Sequence, residues 1–487
     1  MSSTTEREST DESGGTAWRP DLIYTDGQFV RDHALVCDEN GRIIRISTEL
    51  KNHARIVRLR HRALLPGLVN AHSHAFQRVI RGRTECRSAA NLNDSFWTWR
   101  EMMYHAAERL TPEGIYDAAR MAFLEMLASG ITAVGEFHYL HHTPQGTRYD
   151  NPNLLAEHVI EAARSVGICI ALLRVAYARS GYGIPPNERQ ARFIEPDAQT
   201  FLCHIEDLQK SLARDDARDR AWVGVAPHSV RAVPLAYIRE VSAFAAQQNL
   251  PVHMHVAEQP AEVEACVREH GRTPVALLAD EGLLDSRFTG VHAIHITLDE
   301  VRALGGARAS VCACPTTERN LGDGIIPADA LFRENVPVAL GSDSHAQIDL
   351  LEDARELEYH LRLQKLERAV LAPDTKDAGP GGNTSALAAR LFECATVCGA
   401  RSIGSPGSEG ASLTAGRPAD FFTVDLDDPS IAGASDTDLL SVILFSLSRT
   451  AIREVVVGGQ LVIEDGRHRA QEEIVGRFAA LQQRLWS

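Results

Sequence analysis

One stretch decides the fold, and it reads Leu65-Pro66-Gly67-Leu68-Val69-Asn70-Ala71-His72-Ser73-His74-Ala75-Phe76-Gln77-Arg78. A short apolar run bounded by Pro66-Gly67 is typical of a buried strand. Side chains two residues apart on a strand lie on the same side, so His72 and His74 can direct two imidazoles at one metal ion. A single His-x-His pair also occurs in ordinary cores and surfaces. The pair therefore indicates a metal site only if other parts of the chain supply further ligands.

The composition excludes several classes of function. The chain has 487 residues, of which 44% are hydrophobic and 24% charged, and its formal net charge of −15 disfavours binding to nucleic acid. We find no secretory signal at the start and no apolar run of the roughly 18 residues that a membrane-spanning helix needs. The nine cysteines lack regular spacing and are typical of free thiols in a reducing compartment. We therefore expect a cytoplasmic protein.

The middle of the chain, residues 66–405, alternates strand-like and helical segments, which is the pattern of a parallel α/β fold. Eight such units predict a (β/α)8 TIM-type barrel, in which the chemistry lies at the C-terminal ends of the strands. The predicted strand ends lie near His72/His74, Glu136-Phe137-His138-Tyr139, Arg174-Val175-Ala176-Tyr177, Pro227-His228, His253/His255, His292, Cys314-Pro315 and Ser342-Asp343.

Short strand-like runs occupy both ends of the chain. Residues 18–65 contain hairpin signals such as Asp26-Gly27. Residues 406–470 have a similar pattern of short strand-like runs. We expect the two ends to form one small antiparallel β domain, a β-sandwich, that flanks the barrel. Residues 1–17, rich in Ser, Thr, Glu and Gly, are predicted to be disordered, and residues 471–487 to form a C-terminal helix.

Four residues at predicted strand ends have the chemistry of metal ligands, namely His72, His74, His255 and Asp343. Imidazole nitrogens and a carboxylate oxygen suit Zn²⁺, and a catalytic zinc site leaves one position open for water. The fourth strand end offers no Lys that could bridge two ions, which favours a single ion. Asp343 could also take a proton from water, and its alternative role is a turn or a helix cap.

Two further side chains near strand ends can move protons or stabilise charge. Glu258, three residues after His255, can help to protonate a leaving nitrogen, and its alternative is a solvated loop carboxylate. His292 ends the sixth predicted strand and can polarise a substrate. His295 competes with it for this role, and either histidine could instead cap a helix.

A third set of side chains can hold a carboxylate, namely Arg100, Tyr139, His228 and Arg231. Arginine binds carboxylates in bidentate fashion, so a local cluster can capture an anion despite the acidic overall charge. Either arginine taken alone is better explained as a surface residue.

These residues and the stretches around them resemble the amidohydrolase superfamily and, within it, the branch that acts on N-formimidoyl-L-glutamate. The His-x-His pair is common to the superfamily, whereas the Ser-Phe-Trp-Thr-Trp-Arg and Cys-Pro-Thr-Thr-Glu sequences are more discriminating. The charged loop at residues 82–87 departs from the pattern of the superfamily. This departure bears on the entrance of the site and not on its chemistry. The stretches that carry the resemblance are residues 70–78, 93–100, 135–139, 255–259 and 314–324.

The resemblance implies that a homodimer hydrolyses N-formimidoyl-L-glutamate to N-formyl-L-glutamate and ammonia at one zinc ion per chain, in histidine degradation. The residues that match zinc ligands are His72, His74, His255 and Asp343. Those that match substrate-binding positions are Gln77, Arg100, Tyr139, His228 and Arg231. Those that match catalytic positions are Asp343, His292 and Glu258.

Two other functions remain open from the sequence. One is a deaminase of a cyclic substrate such as guanine, cytosine or a triazine, whose pocket needs groups that read the edge of a base rather than two arginines. The other is a non-catalytic scaffold of the same fold. Scaffolds of this kind usually lose ligands, and this chain has the full set.

Overall fold

Two sheets organise the chain, one of eight parallel strands and one of nine strands. The computed structural model describes residues 14–50, 55–86, 96–214, 220–373, 385–406 and 412–487, apart from the side chain of Trp97. The strands are β1 (Thr16–Thr25), β2 (Gln28–Arg31), β3 (Ala34–Cys37), β4 (Ile43–Ser47), β5 (Arg55–Pro66), β6 (Leu68–Ser73), β7 (Ile131–His138), β8 (Cys169–Ala176), β9 (Ala221–Pro227), β10 (Val252–Val256), β11 (Phe288–His292), β12 (Ser310–Ala313), β13 (Val338–Leu340), β14 (Phe421–Asp425), β15 (Ile452–Val457), β16 (Gln460–Glu464) and β17 (Arg467–His468).

Helices cover the barrel and connect its strands. Short 3-10 helices span Ala75–Ile80, Glu188–Phe193 and Arg449–Ala451. The α-helices are α1 (Phe96–Arg109), α2 (Pro112–Leu127), α3 (Leu154–Val166), α4 (Ala198–Ala213), α5 (Leu235–Gln248), α6 (Pro260–His270), α7 (Pro274–Asp280), α8 (Leu298–Ala307), α9 (Pro315–Leu321), α10 (Ala328–Arg333), α11 (Leu350–Lys365), α12 (Ala386–Cys394), α13 (Val397–Ser402), α14 (Leu439–Ser446) and α15 (Gln471–Trp486). No helix in the described ranges is long and apolar enough to cross a membrane.

The eight parallel strands β6 to β13 follow one another in sequence order, and this confirms the predicted (β/α)8 barrel. A bridge between Ser73 and Asp343 joins the two edges of the sheet. The backbone N–H of Asp343 donates to the His72 carbonyl at 3.0 Å, and the N–H of His74 donates to the Asp343 carbonyl at 3.1 Å. The barrel therefore closes at the residues that were predicted to bind metal.

The nine-stranded sheet is built from both ends of the chain, as expected. Its strands follow the order β17-β16-β15-β14-β5-β1-β3-β4, with β2 paired to β1. The expectation of a purely antiparallel unit is wrong at one place, because β1 and β5 pair in parallel. The connection that separates two parallel neighbours leaves no short turn signal, and so local sequence could not reveal the pairing.

The first strand begins earlier than predicted. Residues 1–13 of the segment that was expected to be disordered lie outside the described residues. Thr16 already belongs to β1 and pairs with β3 and β5, and Ala17 is fully buried. The prediction for residues 16 and 17 is therefore wrong, because partners distant in sequence order them.

At the other end of the chain, α15 packs against α2 of the barrel. Its contacts include an ion pair between Arg120 Nη2 and Glu473 Oε2 at 2.8 Å and one between Arg477 Nε and Asp117 Oδ1 at 2.7 Å. The apolar face of α15 is buried through Ile474 and other residues of the same stripe. The last helix is thereby joined to the barrel.

A buried ionic network lies behind β8. The Arg174 side chain is fully buried and donates to Glu195 Oε1 at 2.7 Å and to Asn153 Oδ1 at 3.0 Å. His204 Nδ1 lies 3.1 Å from the same Glu195 oxygen. Burial raises the pKa of Glu195, but His204 and Arg174 outweigh burial and hold that pKa well below its usual range. These contacts direct Arg174 away from the barrel mouth.

Replacing Arg174 with Met is expected to destabilise the protein by about 3–5 kcal/mol at pH 7, because it leaves the Glu195 carboxylate buried without its main partner. Since the folded pKa of Glu195 is depressed, the stabilisation exists above the unfolded pKa of about 4.3 and is lost as the pH falls below it. In urea unfolding, the free energies of unfolding of the wild-type and Arg174→Met proteins should therefore differ less as the pH is lowered. Arg302→Met, at an exposed ion pair on α8, is the control, and an equal effect of both variants would contradict the role of Arg174.

Candidate active site

The four predicted metal ligands converge at the C-terminal mouth of the barrel. His72 Nε2 lies 3.2 Å from His74 Nε2 and 3.2 Å from His255 Nε2. Asp343 Oδ1 lies 3.4 Å from His72 Nε2 and 3.2 Å from His74 Nε2. All four side chains are buried, and their ligand atoms lie within 4.8 Å of one another.

This arrangement fits a divalent metal ion. Neighbouring ligand atoms in a tetrahedral zinc site, at bonds of about 2.0–2.1 Å, are roughly 3.3 Å apart. The measured separations are close to that value. His74 Nδ1 lies 2.9 Å from the Phe137 carbonyl, and a proton donated there leaves His74 Nε2 with its lone pair directed at the cluster. Three imidazole nitrogens and one carboxylate oxygen can therefore hold one ion.

The backbone takes unusual conformations where the site residues leave their strands. Asp343 has a φ of 44°, and His292 and Ala293 have φ values of 70° and 50°. The left-handed region is costly for residues with a Cβ atom, and such residues cluster at active sites. These turns aim the Asp343 and His292 side chains into the barrel mouth.

A buried carboxylate supports the His-x-His turn from below. Glu136 Oε2 accepts a hydrogen bond from Ser73 Oγ at 2.6 Å, and Glu136 Oε1 accepts one from the Ala75 N–H at 2.7 Å. Ser73 Oγ also lies 3.0 Å from His345 Nε2. Burial raises the pKa of Glu136 to about 7. Glu136 lies at a predicted strand end, but no sequence pattern connects it with Ser73.

A pocket opens above the cluster and contains every predicted site residue except His72, which lies behind its wall. The predicted residues that line the pocket are His74, Gln77, Arg100, Tyr139, His228, Arg231, His255, Glu258, His292 and Asp343. Lining residues that the sequence did not identify as site residues are Phe96, Trp99, Met103, Tyr104, Tyr177, Phe193 and Leu321. Residues 93–95 of one quoted stretch, and residue 87 of the charged loop, lie outside the described residues.

One side of the pocket is cationic. The Arg231 guanidinium donates to the Ser180 carbonyl at 3.0 Å through Nη1. Arg100 lies over the Tyr104 ring, with its Cζ atom 5.7 Å from the ring centroid. Burial, and after it the charge of Arg231, holds the pKa of His228 well below its usual range. The two arginines provide a place for an anion.

Polar groups beside these arginines are held by defined hydrogen bonds. Gln77 lies on the first 3-10 helix and donates to Tyr139 Oη at 2.8 Å. Gln190 Nε2 donates to both Tyr104 Oη at 3.0 Å and Tyr177 Oη at 2.9 Å. Two sequence signals could have revealed these tyrosines. Tyr104 is one helical turn after Arg100, and Tyr177 follows the third barrel strand.

Acidic side chains also line the pocket. Glu258 Oε1 lies 3.7 Å from His292 Nε2, and Asp343 Oδ2 lies 3.8 Å from the same nitrogen. Burial raises the pKa of Glu258, and the charge of His292 opposes this effect. Burial lowers the pKa of His292, but its carboxylate neighbours, Glu258 foremost, raise it well above its usual value. The acidic groups can therefore exchange protons with a bound substrate.

The choice between His292 and His295 follows from their contacts. His292 is 1% exposed and lines the pocket, with Nδ1 lying 3.2 Å from Glu318 Oε1. His295 Nε2 instead lies 2.9 Å from the backbone carbonyl of Asp323. His292 is thus the histidine that can contact a substrate. Glu318 had no assigned role in the sequence, although it ends the Cys-Pro-Thr-Thr-Glu stretch.

The chain is similar in sequence and in structure to known amidohydrolases. The model of a family described as the amidohydrolase family matches residues 63–462. A formimidoylglutamate deiminase from Pseudomonas aeruginosa is 40% identical over 417 residues, which are 85% of this chain and 88% of that protein. A crystal structure of an amidohydrolase from Brucella melitensis has a TM-score of 0.87 and 33% identity, and the match covers 97% of this chain and 100% of that one.

A more distant structure has the same fold. The crystal structure of an adenosine deaminase from Xanthomonas campestris with bound zinc has a TM-score of 0.81 and 23% identity. The match covers 98% of this chain and 99% of that one. At this identity the likeness concerns the fold alone.

Proposed function

The chain belongs to the amidohydrolase family, and from this membership and the geometry of its pocket we propose that it hydrolyses N-formimidoyl-L-glutamate to N-formyl-L-glutamate and ammonia. The enzyme is a metal-dependent hydrolase that acts on a carbon–nitrogen bond, and the proposal concerns its substrate and the roles of its residues. The Pseudomonas aeruginosa relative, a formimidoylglutamate deiminase that is 40% identical, supports this choice of substrate.

The observation that carries the proposal is that one pocket contains both cationic and acidic side chains. Arg100 and Arg231 line it together with Glu258 and with Asp343, which is also a predicted metal ligand. The substrate has two carboxylates at one end and a formimidoyl group, cationic when protonated, at the other. Arginine pairs with carboxylates in bidentate geometry, and a buried carboxylate favours a cation. The pocket therefore offers partners for both ends of this substrate.

In this proposal, substrate binding places the formimidoyl group next to Glu258 and Asp343. We assign the grip on the glutamate portion to Gln77, Arg100, Tyr139, His228 and Arg231. A metal ion held by His72, His74, His255 and Asp343 would lower the pKa of a water molecule and polarise the formimidoyl group. The pocket walls fix the distance between the two ends of the substrate, so the reacting carbon lies close to Asp343 and His292.

The proton transfers are assigned to Asp343 and Glu258. Asp343 accepts the proton of the attacking water as the new carbon–oxygen bond forms. His292, through Nε2, stabilises the charge that develops at the tetrahedral carbon. Glu258, whose pKa is raised by burial, donates a proton to the departing nitrogen. As the carbon–nitrogen bond breaks, the carbon–oxygen double bond forms and the hydroxyl proton passes to Glu258. The ammonia takes the proton held by Asp343 and leaves as ammonium, and the formyl product leaves with it.

Several finer assignments belong to the same proposal. Zinc is proposed as the metal because the donor set of three imidazoles and one carboxylate suits it. A cytoplasmic location is supported by the nine free cysteines, which are typical of a reducing compartment. A homodimer and a role in histidine degradation are proposed from the family resemblance.

A deaminase of a cyclic substrate is the alternative that needs testing. A planar base has an uncharged ring edge and supplies no carboxylate for Arg100 and Arg231 to bind. The experiment compares ammonia release from N-formimidoyl-L-glutamate with release from guanine at equal enzyme and substrate concentrations. We expect saturable release from the first compound and none from the second. Release from guanine alone would replace the proposed function with the alternative.

A further inference from the structure

Glu318 is a buried charge that the proposed mechanism does not use. It lies in the first turn of α9, which follows β12 directly, and it is 1% exposed. Its Oε1 atom accepts a hydrogen bond from the Cys314 N–H at 2.8 Å. A carboxylate is favoured at this position because it satisfies a free backbone donor and complements the helix dipole. Helix capping accounts for the contact with Cys314 but not for a second contact.

The second contact is with the histidine of the pocket. Glu318 Oε1 also lies 3.2 Å from His292 Nδ1, and Glu318 itself does not line the pocket. The other ring nitrogen, Nε2, faces Glu258 and Asp343 at 3.7 and 3.8 Å. The ring therefore lies between one carboxylate behind it and two in front. A carboxylate can only accept, so the contact requires the proton to be on Nδ1.

We propose that Glu318 is a positioning residue, which holds the Nδ1 proton of His292 and fixes its ring with Nε2 directed at the reacting carbon. The kinetic part of its test rests on the proposed function, whereas the structural part does not. Because the orientation of an imidazole is set by the hydrogen bond of its other nitrogen, loss of the Glu318 acceptor frees the ring to turn. Glu318 does not line the pocket, so it has no direct contact through which to change substrate binding.

The chain contains a matched control for the capping function. Glu300 is a first-turn glutamate of α8 that is 3% exposed. It accepts hydrogen bonds from the N–H of Thr297 at 2.8 Å and from the N–H of Ala276 at 3.2 Å. Glu300 does not line the pocket. If Glu318 only caps its helix, then Glu318→Leu and Glu300→Leu should have the same consequences.

The kinetic experiment uses the metal-loaded enzyme and N-formimidoyl-L-glutamate. Glu318→Leu should lower kcat about 100-fold with KM changed less than about twofold, at unchanged metal content. Glu318→Gln keeps an acceptor oxygen and should lower kcat only about tenfold, and it remains informative if the Leu variant does not fold. Glu300→Leu should lower stability and leave kcat unchanged. A wild-type kcat in both Glu318 variants would overturn the proposal.

A crystal structure of the metal-loaded Glu318→Leu enzyme, or of Glu318→Gln if the Leu variant does not fold, supplies a readout that does not depend on substrate. In the Leu variant we expect the His292 ring to be rotated or displaced from its place beside Glu258, while the metal ligands keep their positions. In the Gln variant the ring should keep its place, with the side-chain oxygen facing Nδ1. An unmoved ring in the Leu variant, or a Gln oxygen turned away from an unmoved ring, would overturn the positioning role. If the wild-type enzyme released no ammonia from N-formimidoyl-L-glutamate, the proposed function would fail, and the ring position would still decide the role of Glu318.

Discussion

Replacing Asp343 with Asn is expected to lower kcat for ammonia release by about a thousandfold. The carboxylate has two assigned tasks. Its Oδ1 atom lies among the histidine nitrogens, at 3.2 Å from His74 Nε2, and its Oδ2 atom faces His292 Nε2 at 3.8 Å. An amide keeps a coordinating oxygen of the same shape but cannot accept the proton of the attacking water. Steady-state assays combined with metal analysis separate loss of the proton acceptor from loss of the metal.

The control for this substitution is a nearby aspartate with a structural role. Asp349 caps α11 through hydrogen bonds from the N–H groups of Leu351 and Glu352, and it does not line the pocket. Asp349→Asn should keep wild-type kcat, because Asn is also a good helix cap. An Asp343→Asn enzyme that holds metal and turns over at the wild-type rate would refute the assigned role of Asp343.

Replacing Arg231 with Met is expected to lower kcat/KM for N-formimidoyl-L-glutamate by about 100-fold, mostly through KM. The guanidinium is assigned to a substrate carboxylate, and its loss leaves that charge without a partner in a confined pocket. Arg239→Met is the control, because Arg239 lies on α5 in an exposed ion pair with Glu281. Equal effects of the two substitutions would show that Arg231 does not bind substrate.

A shortened substrate shows which carboxylate Arg231 holds. N-formimidoylglycine lacks the side-chain carboxylate of glutamate and keeps the other one. If Arg231 holds the side-chain carboxylate, Arg231→Met should barely change kcat/KM for the glycine compound. If it holds the remaining carboxylate, the loss should be similar for both compounds. Loss of kcat with unchanged KM for both would contradict a binding role.

The sequence predicted the convergence of the three histidines and Asp343, because these residues follow strand geometry. His72 and His74 are two residues apart on one strand, and period two places both side chains on one side. His255 and Asp343 lie at other strand ends, and a parallel barrel brings all strand ends to one mouth. The number and order of the strands were therefore sufficient to bring these four residues together without any knowledge of side-chain contacts.

Other features depend on contacts that a local pattern does not encode. His292 and His295 are three residues apart, and the sequence could not choose between them. The choice depends on the left-handed backbone at His292 and on the hydrogen bond of His295 to the Asp323 carbonyl. The role proposed for Glu318 depends in the same way on the approach of α9 to the end of β11.

Arg174 shows that a residue at a predicted strand end can lie outside the pocket. It lies at a predicted strand end, beside Tyr177, which does line the pocket. Its side chain instead enters a buried network with Glu195 and Asn153, outside the mouth. Successive residues of a strand point to opposite faces of the sheet. Which face is turned toward the barrel interior is known only once the helices are placed.

The most direct test of the account is steady-state ammonia release from N-formimidoyl-L-glutamate by the enzyme as isolated, after removal of metal with a chelator, and after return of one equivalent of zinc. We predict saturable release, its loss on chelation and its recovery with zinc, while the stripped enzyme stays folded by circular dichroism. Enzyme that holds one equivalent of metal and releases no ammonia from this compound would contradict the proposed function.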